Sequence, residues 1–537
     1  MTTATATPPP GEGIHPLRPS AWRRWAAAPT REGFLAPVAI ALAFLVLLAA
    51  FAAVDPAHGV TASTSPYTDE GWNVSNARDL VMFGRWATDA WQMWLVNMPY
   101  SVLQAAWLSV AGIGIVQARL LDIGFGAAAL AALGIGLRRP LGPLGAAVAT
   151  AGLAGSALFL YYGRLAYLEP LVVLWLIVAE LALAREHPSI AAGVVAGLAV
   201  ALAVATKASA VAAAGGLLAG VAVAGAGDPA VRRALGAAVA SALLMAIAWA
   251  IIFALPHAAA LATDLRIWAT EPPPHGLDQL VTRIVTYAAR SDGAIPLALP
   301  LLVAGAAGAL LALARYSRLD PVRRRVALGS MGWFAAGMAV LLVVPYRPNR
   351  YVVPLLPPLA ILAGLGFAIL LDWVRRAPGR GGVASVRGAG QAADAAPAGG
   401  DASARAPTGV AAALAAAVVA LLLAVPGLAL DAGWMANTPS TLPQIQAEVA
   451  AIVPPGSTVQ GDLAPILAMR ARAVTIVSRP ATNVNAGDLY ATRDVRWVLT
   501  NGPAPRWATL HEAAWAARTR ELCVSWGPGT TCLYRLP

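Results

Sequence analysis

Long apolar blocks separated by short polar stretches set the plan of this chain. The first block, 34–54, holds twenty-one residues, and at about 1.5 Å per residue it reaches the roughly 30 Å of a bilayer's hydrocarbon. Further blocks at 117–137, 142–160, 170–184, 189–206, 208–226, 234–255, 295–314, 327–345, 352–372 and 409–429 read as spans, eleven with the first. Residues 93–115 are equally apolar. Counting them as a span would put Arg138-Arg139, Arg232-Arg233, the Arg315 to Arg325 cluster and the Arg375 to Arg405 segment outside, against the positive-inside bias. They are therefore expected to lie in the outer interface, with Trp91, Trp94, Tyr100 and Trp107 as anchors.

Sidedness follows from the basic tail. Arg18, Arg23, Arg24 and Arg31 precede the first block and hold the N-terminus, 1–33, in the cytoplasm. Ala50-Phe51-Ala52 has the look of a signal-peptidase site, but leader and apolar core are both long for that role, so an uncleaved anchor is expected. This parity puts Asp69, Glu70, Arg164, Glu169, Lys207, the loop 256–294 and the run Tyr346-Arg347-Pro348-Asn349-Arg350-Tyr351 on the outer side. In the same loop His257 and His275 sit among Asp264, Glu271 and Asp278, a pattern that an ordinary hydrated loop explains.

Composition narrows the class. Hydrophobic residues make up 58% and charged residues 12%, where a soluble domain has roughly 25% charged, so the apolar excess must face lipid. The net charge of +11 is spread in clusters between spans as a topology signal, and no nucleic-acid module is present. Residues 375–408, all Gly, Ala, Pro, Arg, Asp and their like, cannot bury a core and read as a disordered cytoplasmic linker within the membrane domain 34–430. From 431 to 537 the pattern changes to that of a small extracytoplasmic α/β domain. An amphipathic helix runs from Thr441 to Val453, strand-like runs follow at 457–460, 473–478 and 495–500, and a helix at 507–521 leads to a hairpin at Gly527-Pro528-Gly529. Cys523 and Cys532 are the two cysteines. They flank that turn and are expected to pair, and with no His cluster nearby they do not read as a zinc site.

The candidate chemistry lies in charges at the outer ends of spans. An Asp69-Glu70 pair alone reads equally as a solvated loop. Ionisable residues at membrane depth cost roughly 2.5–3.5 kcal/mol each on insertion scales and so usually face a cavity or a partner. Arg164 and Glu169 fit that description, and Lys207 interrupts an apolar stretch from 190 to 226. Arg347 and Arg350 stand on the outer side against the usual bias, where a guanidinium fork suits a lipid phosphate. Carboxylates with Arg and Lys at a lipid surface can deprotonate an acceptor and hold a phosphate leaving group.

This order of motifs resembles the glycosyltransferase C superfamily, in its protein O-mannosyltransferase and aminoarabinose transferase branch. The resemblance covers 34–372 and rests on the Asp69-Glu70 pair, the interfacial helices, Arg119-Leu120, Arg164 with Glu169, Thr206-Lys207, and the Arg-x-x-Arg-Tyr-x-x-Pro run from Arg347 to Pro354. It implies an inverting transfer of a sugar from a polyprenyl-phosphate donor to an extracytoplasmic acceptor, with membrane lipid as a further partner. By position, Asp69 would be the general base and Glu70 would orient it or the acceptor. Lys207, Arg347 and Arg350 would neutralise the leaving phosphate, Arg164 and Glu169 would shape the pocket, and Tyr346 or Tyr351 would cap the sugar. A divalent cation used elsewhere in the superfamily would find oxygen ligands in Asp69, Glu70 and Glu169. The rival readings are a transporter or lipid flippase, disfavoured because the charges gather at one face without a repeat, and a scaffold whose outer domain binds a partner.

Overall fold

The computed structural model describes residues 31–57, 65–89, 91–268, 276–289, 294–344, 348–376, 406–477, 493–501, 512–526 and 529–537. Tyr346 and Arg347 lie outside the described residues, as do His275, Glu271, most of the tail 1–33 and most of the linker 375–408.

Helices dominate, and each of the eleven expected segments is mainly helical. Among the described residues six helices are long and apolar enough to cross a membrane by themselves, and shorter apolar helices lie at Phe34–Ala50, Ile190–Thr206 and Ala210–Ala224. The protein is thus an integral membrane protein by length and composition of its helices. Two of the expected spans, 117–137 and 142–160, belong to one element, Ile115–Ala154, bent where Gly142 takes φ 71° between Pro140 and Pro143. Proline disfavours the helical region in the residue before it, and only glycine adopts this left-handed alternative cheaply. The same expected span also breaks near its end: Gly155 and Ser156 interrupt the helix, and Ala157–Gly163 resumes it. The long apolar helix Ala406–Asn437 passes this break in backbone contact, since a Cβ at Gly427 would strike the Gly155 carbonyl.

Small residues let the spans approach closely, as expected where lipid offers no hydrophobic contrast to drive packing. Gly216 and Gly220, four apart on Ala210–Ala224, press on the backbone of Gly332 and Leu328 in Pro321–Val343. The stretch 93–115 contains a single 3₁₀ turn, Met93–Leu95, and one helix, Met98–Ala111. Fourteen residues reach about 21 Å, short of a bilayer's width.

A five-stranded sheet closes one end of the bundle. Its strands are β1 (Thr458–Gln460), β2 (Val474–Ile476), β3 (Trp497–Thr500), β4 (Thr519–Trp526) and β5 (Gly529–Arg535), in the order β2-β1-β3-β5-β4. β1 runs parallel to β2 and β3, while β5 runs antiparallel to β3 and β4. The expected helix at 507–521 is described only as Glu512–Ala516, and β4 already begins at Thr519. Cys523 faces Cys532 across the hairpin and bonds to it, with Cα atoms 4.1 Å apart. Closing so short a loop contributes about 2.5 kcal/mol in the chain-entropy account.

The main apolar core of this C-terminal unit is not its own. Leu442, Ile445, Val449, Val459, Ile466 and Leu533 pack in one cluster with Tyr67, Val74, Ala77 and Leu108, from the segments before the second apolar block. Gly71 lets this happen: a Cβ there would collide with the backbone and side chain of Ile466. Arg78, wholly buried, donates to the carbonyls of Met469 at 2.7 Å, Ala471 at 2.6 Å and Ala473 at 2.8 Å. Asp55 accepts from Thr441 N, Thr441 Oγ1 and Leu442 N at 2.9, 2.6 and 3.0 Å, so it caps the helix Leu442–Ile452 from a distant part of the chain.

Candidate active site

Helix Ser65–Phe83 carries the acidic pair and lies against the sheet. Its two carboxylates have different surroundings. Glu70 is fully buried, with Arg119 Nε and Nη2 at 2.7 and 2.6 Å from its two oxygens, and Ala166 N donates to Oε1 at 2.8 Å. Arg119 also donates to the carbonyls of Ala52 and Val54, both at 2.8 Å. Glu70 was expected to take part in the chemistry beside Asp69. Its contacts join helix Ser65–Phe83 to Ile115–Ala154 and to the segment before Glu169.

Asp69, 7% exposed, pairs with Arg350 Nη1 at 2.6 Å through Oδ2, and Thr68 Oγ1 donates to Oδ1 at 3.1 Å. Arg350 arrives on the 3₁₀ segment Asn349–Leu355. That segment is fixed at its far end by Trp333 Nε1, which donates to the Pro354 carbonyl at 2.9 Å. Arg350 Nε also lies 3.6 Å from Glu169 Oε1, the same oxygen that Lys207 Nζ approaches. Glu169 opens the helix Glu169–Leu183 just ahead of Pro170, where a carboxylate suits the positive end of the helix dipole. Lys207 terminates the helix Ile190–Thr206 in extended conformation, which turns its side chain inward, and its Nζ sits 3.8 Å from the centre of the Tyr351 ring. Tyr167 and Tyr351 flank the Arg350 guanidinium at 5.3 and 5.5 Å.

The structure therefore joins Asp69, Glu169, Lys207, Arg350 and Tyr351 in one cluster of two carboxylates, two cations and an aromatic face. Arg164, expected to line the pocket, is used otherwise. Its guanidinium donates to the carbonyls of Val54, Phe51 at 3.4 Å and Asp55 at 3.3 Å, clamping the chain just after the first span. Arg347 and Tyr346 lie outside the described residues. Arg119-Leu120 was singled out in the sequence as a motif without a role, and the structure gives Arg119 its partner in Glu70. Sequence reasoning missed Thr68, which gave no signal beyond being next to Asp69.

A divalent cation does not fit what is present. Among the described residues no group of three or more His, Cys, Asp or Glu could hold a metal ion, because Glu70 faces Arg119, Asp69 faces Arg350 and Glu169 faces Lys207. Two opposed ion pairs around an aromatic wall can instead hold an anion on the cations and offer a carboxylate to a neighbouring proton. Buried pairs of this kind hold their geometry tightly, since removing one partner strands the other at a cost of about 3–5 kcal/mol.

No protein-family model and no curated protein sequence matches the chain. Solved structures do, among them the following two. Both are of ArnT from Cupriavidus metallidurans, one bound to undecaprenyl phosphate and one in the apo state, with TM-scores of 0.59 and 0.60. Each is 15% identical in sequence, and each alignment covers 93% of this chain and 97% of that one. The alignment thus takes in the C-terminal unit as well as the spans. The chain thus shares its fold with these two structures.

Proposed function

We propose that this protein is a membrane glycosyltransferase that moves a sugar from a polyprenyl-phosphate donor to an acceptor outside the cytoplasm. The observation that carries the reading is the meeting of Lys207 and Arg350 with Asp69, on a fold whose counterpart binds undecaprenyl phosphate. The cations hold the donor phosphate and, as the glycosidic bond breaks, the charge that develops on it. Asp69 takes the proton of the acceptor hydroxyl or amine while that atom bonds to the anomeric carbon. The electron pair of the broken carbon–oxygen bond leaves on the phosphate, giving the glycosylated acceptor and polyprenyl phosphate. Glu169, the other carboxylate of the cluster, is held by Lys207 and Arg350, and one available base suits a single displacement with inversion. Glu169 anchors Lys207 and Arg350 in place, and Tyr351 walls the pocket that Arg347 and Tyr346 adjoin in sequence. The C-terminal unit, proposed to lie on the outer side, roofs the helix that carries Asp69.

The test is turnover of polyprenyl-phosphate sugars by protein in lipid nanodiscs, with membrane extract as acceptor. Asp69→Asn is expected to bind undecaprenyl phosphate and to lose transfer by about 100-fold or more, the usual range for removing a general base. Full transfer by a folded Asp69→Asn protein would sink the assignment of the base. Movement of lipid across the bilayer without release of sugar would favour a transporter.

A further inference from the structure

The Asp69 carboxylate is engaged at both oxygens, by partners that differ in kind. Thr68 Oγ1 donates to Oδ1 at 3.1 Å, and Arg350 Nη1 lies 2.6 Å from Oδ2. Thr68 is a neutral neighbour on the same helix, so its hydroxyl is drawn towards a phosphate far less than a guanidinium is. Arg350 is a guanidinium already shared between two carboxylates, with Glu169 Oε1 3.6 Å from its Nε. Lys207 is likewise committed to Glu169. Both cations of the cluster are thus matched by carboxylates before any substrate arrives, and an entering phosphate must compete for them. The competition is uneven. Glu169 keeps Lys207 as a partner when Arg350 turns away, while the flanking rings of Tyr167 and Tyr351 give the guanidinium a surface along which to rotate.

We propose that the donor phosphate takes Arg350 from Asp69: the guanidinium exchanges Oδ2 for a phosphate oxygen, while Thr68, a positioning residue, keeps the carboxylate in place through Oδ1. This inference rests on the transferase reading above and adds an order to it. Until the exchange, the lone pair that receives the acceptor's proton is engaged by Arg350, so donor binding precedes productive acceptor binding. A site with no donor leaves its base occupied.

The experiment is a double-mutant cycle on the dissociation constant of undecaprenyl phosphate, measured with full-length protein in nanodiscs at fixed salt. Arg350 keeps the carboxylate of Glu169 when Asp69 is neutralised, so Asp69→Asn is expected to retain the fold, and a melting curve for each variant checks this. Asp69→Asn is expected to bind about tenfold more tightly than wild type, as close charge pairs couple by at least that factor. In an Arg350→Gln background the gain is expected to vanish, because Asp69 then has no cation to withhold. A gain that persists without Arg350 reports only the removal of a negative charge and overturns the proposal, as does the absence of any gain. For Thr68, the Val variant is expected to lose about tenfold in kcat with donor KM unchanged, and the Ser variant to recover it. A Thr68→Val protein with full kcat removes Thr68 from the mechanism. Failure of undecaprenyl phosphate to bind wild type and Asp69→Asn alike would instead refute the transferase reading itself.

Discussion

At the scale of single residues, Glu70 and Asp69 follow one another in the chain but are held by different partners. Glu70 is closed off by a bidentate Arg119, whereas Asp69 shares its arginine with a second carboxylate. Substitution separates the two roles. Glu70→Gln leaves Arg119 charged and buried against a neutral partner, so we expect a stability loss of about 3–5 kcal/mol, measured as a fall in melting temperature. Asp69→Asn is expected to melt near wild type and lose only transfer. Several of these charges were legible in the sequence: Lys207 and Glu169 because a Lys or Glu at membrane depth has few explanations, and Arg350 because it falls on the expected outer side against the usual charge bias. Arg164 stood out equally, but its partners are backbone carbonyls, which no pattern of side chains reveals. Thr68 illustrates the opposite limit, since a hydroxyl in a polar segment carries no signal at all.

At the scale of elements, helix Ser65–Phe83 is the piece on which the rest is mounted. One face brings Asp69 to the spans, and another meets the C-terminal unit through Gly71 and Arg78. Gly71→Ala places a methyl group against Ile466, and we expect a loss of ~1–3 kcal/mol as the packing shifts. Transfer should fall with it because Asp69 lies two residues away. The same contact is sensitive to pH. Asp79, beyond the apolar spans, is raised to about 6 by burial, against the opposing pull of Arg78 and of a hydrogen bond from Thr88. Its unfolded value is near 3.9, so the fold favours the protonated form. That contribution is complete below about pH 4 and is lost as pH rises through about 6. The melting temperature of wild type is therefore expected to fall relative to Asp79→Asn between about pH 4 and 7, and parallel profiles would show that Asp79 does not govern the contact.

At the scale of the whole molecule, the sequence made the helical segments readable because lipid imposes length and apolarity on every span. The bend at Gly142 and the break at Gly155 escaped that reading, since an apolar run looks the same whether its helix is straight or interrupted. The sheet was legible only as short runs. Three-residue strands such as β1 and β2 draw their stability from neighbours supplied elsewhere, and here from a helix nearly four hundred positions earlier in the chain. That separation has a meaning in time as well as in space. Arg78 Nε and the Met469 carbonyl that it meets are 391 residues apart. At roughly 5–20 residues per second, the segment that seats Asp69 emerges from the ribosome some twenty to eighty seconds before its partners. During that interval helix Ser65–Phe83 lacks both its packing against Ile466 and the carbonyls that Arg78 binds, so the seat of Asp69 is complete only once residues 466–473 have been made.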